Sequence, residues 1–247
     1  MKPITSYLIC ATNRSGSFLL CEALKNTGIA GNPEEYFWRG DEPFWKERWK
    51  VSDYGDYLMK AIEQGTSSNG VFGAKIMWGY FDDFIGKLRQ ISAYEQIDLP
   101  ALLPHVFPNL HYVQIIRRDK VRQAISFWRA IETNTWAWTD DKQPIPEREP
   151  SFNYKAIRNL EKEIVTHELA WNNYFEGCQI NPFVVIYEEF VPRYEETARE
   201  VLRFLDIPIP SDLKFAERKM KRQSDDLTER WVEAYYQQQK MDERIHF

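Results

Sequence analysis

Apolar and polar positions fall into two regimes along the chain. Four short runs are almost wholly apolar: 6–11 (SYLICA), 71–77 (VFGAKIM), 111–116 (HYVQII) and 183–187 (FVVIY). Most lack clean alternation, and they are rich in β-branched and aromatic residues, which predicts strands covered on both faces. Between them apolar residues recur at helical spacing. Residues 17–27 follow a Gly/Ser turn and stop at Gly28, and 120–132 follow the third run. Residues 154–175 carry Ile157, Leu160, Ile164 and Trp171, and 195–205 carry Ala198, Val201, Leu202 and Leu205 before Pro208. This alternation predicts an α/β fold, a central parallel sheet flanked by helices. Ligands of such sheets bind beyond the carboxyl ends of the strands. Residues 93–108, with three prolines, read as irregular, and 140–150 read as a charged, Pro-rich surface loop. No repeat, low-complexity tract or Gly/Ser linker divides the chain, so one domain over 1–247 is expected, with a loose tail from about Gln237.

Composition narrows the classes. The 247 residues carry 32 Lys+Arg against 37 Asp+Glu, a formal charge of −5. That mild acidity argues against a general nucleic-acid binder. The mean hydropathy is −0.56, and no run approaches the ~20 apolar residues of a membrane span. The apolar stretch at 7–11 gives way to polar Asn13–Ser17, unlike a signal peptide. Cys10, Cys21 and Cys178 form no CxxC pair and no even framework, so a reduced cytoplasmic protein is expected. Aromatic residues make up 15% of the chain. They serve equally as core fillers or as stacking platforms for a ring-shaped ligand, and composition does not choose.

The chemistry concentrates at two strand-to-helix turns. The segment Cys10-Ala11-Thr12-Asn13-Arg14-Ser15-Gly16-Ser17 leaves a strand and enters a helix. Small residues there let backbone N–H groups approach an anion, the helix N-terminus adds partial positive charge, and Arg14 adds a full one. The same segment also reads as an ordinary N-cap, with Ser15 or Ser17 capping and Arg14 in solvent. It has one Gly and no Lys, so it is not a Walker A loop. The third run enters Arg117-Arg118-Asp119-Lys120, and Ser126 follows Arg118 by eight residues. Arg122, Ser126 and Arg129 share one helix face. A second anion fits between Arg118 and Ser126, whereas Arg122 and Arg129 read as solvated or structurally paired.

These elements together resemble the PAPS-dependent sulfotransferases. Arg14-Ser15-Gly16-Ser17 stands where that family has PKSGTT or a variant, and Arg118 and Ser126 match the Arg and Ser of its RNPxDxxxS motif. Val185-Ile186-Tyr187-Glu188-Glu189-Phe190 resembles its YEDL segment. The chain is more closely similar to the bacterial trehalose 2-sulfotransferase family. Gly31-Asn32-Pro33-Glu34-Glu35-Tyr36-Phe37, Gly73-Ala74-Lys75-Ile76-Met77-Trp78, Gln123 to Ala130, and Arg222-Gln223-Ser224-Asp225 carry that similarity.

The resemblance implies a P-loop-like sulfotransferase fold, PAPS as donor, no metal, and a homodimer. It implies transfer of a sulfuryl group to a hydroxyl of a carbohydrate or glycolipid, a trehalose-like sugar being the first choice. By the same resemblance Arg14, Ser15, Gly16 and Ser17 hold the 5′-phosphate, Arg14 also neutralising charge as the nucleotide leaves, and Arg118 and Ser126 hold the 3′-phosphate. Arg218-Lys219-Met220-Lys221-Arg222 resembles a basic element closing over the nucleotide, with Arg222 its preferred member, or reads as a plain solvated basic run. Glu35 is the implied general base. Lys75 and Trp78 are candidates on the acceptor side, where a strand-end surface Lys is an equal reading of Lys75. Two other classes stay open: a metal-dependent kinase on a related fold, and a non-catalytic sugar-binding protein with an aromatic cleft. The missing Walker Lys weighs against the kinase, and tight binding of adenosine 3′,5′-bisphosphate would exclude the sugar-binding protein.

Overall fold

A computed structural model describes residues 2–137, 148–221 and 225–245. The 140–150 loop lies mostly outside these residues, and Arg222 lies wholly outside them. Four strands, β1 (Thr5–Ala11), β2 (Val71–Met77), β3 (Leu110–Ile116) and β4 (Phe183–Ile186), form one parallel sheet in the order β2-β1-β3-β4. All of β2 is buried and so is β1 beyond its first residue, so both sheet faces are covered, as the unbroken apolar runs require.

The described helices are α1 (Ser17–Lys25), α2 (Glu42–Trp49), α3 (Tyr54–Gly65), α4 (Phe81–Arg89), α5 (Leu99–Val106), α6 (Lys120–Thr133), α7 (Tyr154–Gly177), α8 (Tyr187–Phe190), α9 (Tyr194–Phe204) and α10 (Asp226–Ile245). The expected α/β architecture, a central parallel sheet flanked by helices, is therefore present.

Three expectations change. The 93–108 stretch contains α5. Pro100 occupies its first turn, where a missing N–H costs nothing, and Leu102, Leu103 and Val106 are buried beneath it. The tail from Gln237 continues α10 as helix to Ile245, and that helix buries Trp231 and Tyr235 in an apolar cluster with Val121, Ile125, Ile157 and Ile164 of α6 and α7. Tyr187, taken as a strand end, instead opens α8.

Topology then fixes where a ligand goes. β1 has β2 on one side and β3 on the other, so the chain leaving β1 and the chain leaving β3 diverge at a switch point. The 12–17 loop and Arg117 both stand at that crevice.

Candidate functional site

At the switch point lies a cavity of about 360 Å³. The loop 12–17 forms one wall. Gly16 takes φ +98°, and a Cβ there would stand 2.3 Å from the Tyr187 ring, so glycine is required on both counts. The first turn of α1 has neither a side-chain cap nor an acidic residue. Gly16, Ser17, Phe18 and Leu19 line the cavity, so the helix offers it uncapped N–H groups and the positive end of its dipole. Of the two sequence readings, the ordinary N-cap is thus not what the structure contains. Gln123, fully buried in α6, fixes the loop by donating to Thr12 Oγ1 (2.9 Å) and to Asn13 O (2.7 Å).

The cavity is lined by arginines. Arg14, in the left-handed region at φ 62°, donates from Nε to Ser126 Oγ at 3.0 Å and from its guanidinium to Trp136 O. Burial, then the Arg117 charge, lowers Arg14 from 12.5 to about 10. Arg117 lies over the Tyr187 ring (4.8 Å), and burial lowers its pKa too. Its Nε is buried without a hydrogen-bond partner, as is Ser15 Oγ. A buried guanidinium nitrogen without a hydrogen-bond partner, next to a second buried arginine, is a feature of sites that bind anions. Arg122 and Arg129 also line the cavity but are neutralised, Arg122 by Asp119 and Glu229, Arg129 by Asp225 at 2.6 and 2.9 Å. They tie α6 to α10, as their structural reading expected.

Arg118 does not join this cluster. Glu188 accepts from the backbone N–H of both Arg118 (3.1 Å) and Asp119 (3.2 Å), and this turns the Arg118 side chain outward. It is 58% exposed and pairs with Glu189 at 2.5 Å. Of the neighbouring arginines, Arg117 is the one the structure brings to Ser126 and Arg14. Arg117 is the first residue past the β3 run, and that position was the available signal.

Phe18 separates the cavity from a second group of charges. Lys75, 1% exposed on β2, places its ammonium 3.3 Å from the Phe18 ring centroid and 2.6 Å from Glu35 Oε2, at an angle poor for a hydrogen bond. It is therefore no surface Lys. Glu35 is held there by its backbone. Lys75 N–H donates to Glu34 O at 2.9 Å, extending the edge of β2 by one bridge. Gly31, at φ +72°, packs against Gly65 O, Val71 O and Gly73 N, where a Cβ would lie 2.7–2.9 Å from each. Glu34 pairs with Lys25. Burial, then the Glu35 charge, holds the Tyr80 phenol well above its ordinary value, so it stays a donor. Asp41 is raised by burial and then by the same carboxylate.

The aromatic residues divide as well. Tyr36 and Phe37 are buried, with Phe37 stacked on Phe84 at 4.5 Å. Trp78 packs edge-on against Trp171 at 5.0 Å and is absent from the cavity lining, whereas Trp136 lines it. Among the described residues no group of three or more His, Cys, Asp and Glu gathers as for a metal ion, and no helix is long and apolar enough to cross a membrane.

A parallel sheet with a glycine-turned loop and buried arginines at its switch point, and a carboxylate across Phe18, is the setting of a group-transfer site. The family model of the Stf0 sulphotransferases matches residues 6–238, and the chain belongs to that family. It is 27% identical to the trehalose 2-sulfotransferase of Mycolicibacterium smegmatis over 94% of both chains. It is 28% identical to the trehalose 2-sulfotransferase of Mycobacterium tuberculosis over 95% of both. Among solved structures it is similar to a sulfotransferase from Alicyclobacillus acidocaldarius, with 14% identity and a TM-score of 0.48 over 96% of this chain and 92% of that one.

Proposed function

We propose that this chain transfers a sulfuryl group from PAPS to a hydroxyl of a trehalose-like sugar, with Glu35 as the general base. The observation that carries the reading is the pairing of two sites across Phe18: an arginine-rich cavity and a half-buried carboxylate 2.6 Å from the Lys75 ammonium. The unpartnered Arg117 Nε and Ser15 Oγ suit a nucleotide with two separate phosphates. PAPS, when bound, supplies a sulfuryl group already joined to a phosphate leaving group.

The residues then divide the work. The N–H groups at Gly16 and Ser17, with Arg14, hold the 5′-phosphate and balance charge building on the leaving oxygen. Arg117 and Ser126 hold the 3′-phosphate, the role first given to Arg118 and Ser126. Glu35 takes the acceptor's hydroxyl proton as the new O–S bond forms and the bond from sulfur to the leaving phosphate oxygen breaks. Lys75 orients that carboxylate. The sulfuryl group carries less charge than a phosphoryl group, so no metal has a role here. The reading includes a homodimer, as the family resemblance implies, and a cytoplasmic location, as the cysteine usage predicts.

The test is titration of the protein with adenosine 3′,5′-bisphosphate and with AMP, followed by transfer of labelled sulfate from PAPS to trehalose. The bisphosphate should bind at least about tenfold more tightly, through charge-assisted bonds to the extra phosphate, and trehalose should become labelled. Equal affinity for AMP would remove the donor assignment. Labelling of another sugar class but not trehalose would remove the acceptor.

A further inference from the structure

We infer that Glu22 is a positioning residue for the nucleotide cavity. It ties the basic strap at 216–221 to the helix whose N-terminus forms the anion-facing loop. The inference rests on the cavity being the nucleotide site.

The strap contributes Arg218, Met220 and Lys221 to the cavity lining, and none of 213–221 is helical. Such a segment needs its backbone groups satisfied from outside. Glu22, in the second turn of α1, supplies the acceptor. Its Oε1 receives the backbone N–H of Lys219 (2.8 Å) and of Met220 (2.9 Å), and its Oε2 receives Tyr194 OH (3.2 Å). Asn26, one turn further on, adds a second tie. Its carbonyl accepts from Ala216 N–H at 2.9 Å, and its amide donates to Glu217 O at 3.2 Å. The Arg218 guanidinium lies 5.1 Å from the centre of the Tyr194 ring, so the residue that donates to Glu22 also seats the strap's first arginine.

Electrostatics make this placement informative. Glu22 lies five residues beyond Ser17, about 7–8 Å along the helix. That is within a Debye length of an anion at the loop. Taken alone, its charge repels the ligand. Two N–H bonds to an ionised acceptor, holding Arg218 and Lys221 in place, work in the opposite direction. Removing the charge therefore separates the two effects by sign.

The experiment is Glu22→Gln with adenosine 3′,5′-bisphosphate as the probe. If Glu22 holds the strap, affinity falls about tenfold despite the loss of a repulsive charge. Trypsin also cleaves at Arg218, Lys219 and Lys221 faster than in the wild type, as read by mass spectrometry. Tighter binding, or unchanged cleavage, overturns the inference. Tyr194→Phe removes one donor to the same carboxylate without touching its charge. It should shift both readouts in the same direction by less, and it decides the matter if Glu22→Gln does not fold. A wild-type protein that fails to bind the bisphosphate would defeat the nucleotide reading, while the cleavage comparison still tests the tie itself.

Discussion

The two sides of Phe18 treat charge in opposite ways. On the donor side Arg14 and Arg117 crowd together, each lowered by burial, and buried donors on Arg117 and Ser15 go unused. On the acceptor side each base has its acid: Lys75 meets Glu35, and Lys25 meets Glu34. The first arrangement gains most from a ligand that brings negative charge, so in the proposed reading it favours salt-sensitive anion binding. The second is already balanced, so it adds little to binding. In the proposed reading donor binding and proton transfer fall to separate charge clusters, and mutation should be able to separate them.

The largest separation should come from Glu35→Gln. The amide keeps the shape but cannot accept the acceptor's proton, so turnover should fall by about 10²–10⁴. Calorimetry with adenosine 3′,5′-bisphosphate should give an affinity within about twofold of wild type, because the nearest shared residue is the neutral Phe18. A parallel loss of nucleotide affinity would show that the two clusters act as one.

A smaller effect distinguishes adjacent arginines inside the donor side. Arg117→Ala should weaken the bisphosphate about 10–100-fold, the range for losing charge-assisted bonds in a buried site. Arg118→Ala should stay within about threefold, since an exposed ion pair contributes little. The same pair measured with AMP should show a much smaller Arg117 effect. If Arg118→Ala proves the more damaging, Ser126 has been given the wrong partner.

These neighbours also mark how far the sequence could be read. The four strands were legible to within a residue or so, because a strand buried on both faces writes an unbroken apolar run. The 12–17 loop was legible as a local pattern, whereas Glu35 entered only through the family resemblance. Arg117 was not, since the choice between it and Arg118 depends on Glu188, 70 residues away, accepting from two backbone N–H groups. Glu22 left no trace for a similar reason: its partners lie 197 and 198 residues further on. Helix α2 escaped because its sequence has little amphipathic period and none of its residues is fully buried. Its apolar contribution comes from Trp45 and Trp49, stacked at 4.8 Å. The aromatic excess was ambiguous in composition, and packing resolves most of it into core.

The smallest effect is a pH dependence belonging to the donor side alone. Burial and Arg117 lower Arg14 to about 10 in the folded protein, against 12.5 ordinarily. Only its charged form helps to hold a phosphate. The ligand's phosphates are fully ionised well below this range, so a fall in affinity near pH 10 reports the protein. Bisphosphate affinity should be level from about pH 8 to 9 and drop several-fold as pH rises through 10, with proton uptake on binding because the bound anion favours the charged guanidinium. Stability should move the other way. Between pH 10 and 12.5 the unfolded chain keeps a proton that folded Arg14 has lost, so this group's contribution to stability rises with pH. Calorimetry in buffers of different ionisation enthalpy reads both the affinity and the proton. Turnover corrected for donor saturation should fall in the same window, because in the proposed reading Arg14 also balances charge on the leaving oxygen. A flat affinity to pH 10.5 would mean that Arg14 is not under the strain that its burial beside Arg117 implies. A corrected turnover that stays level would mean that Arg14 binds the donor without assisting the leaving group.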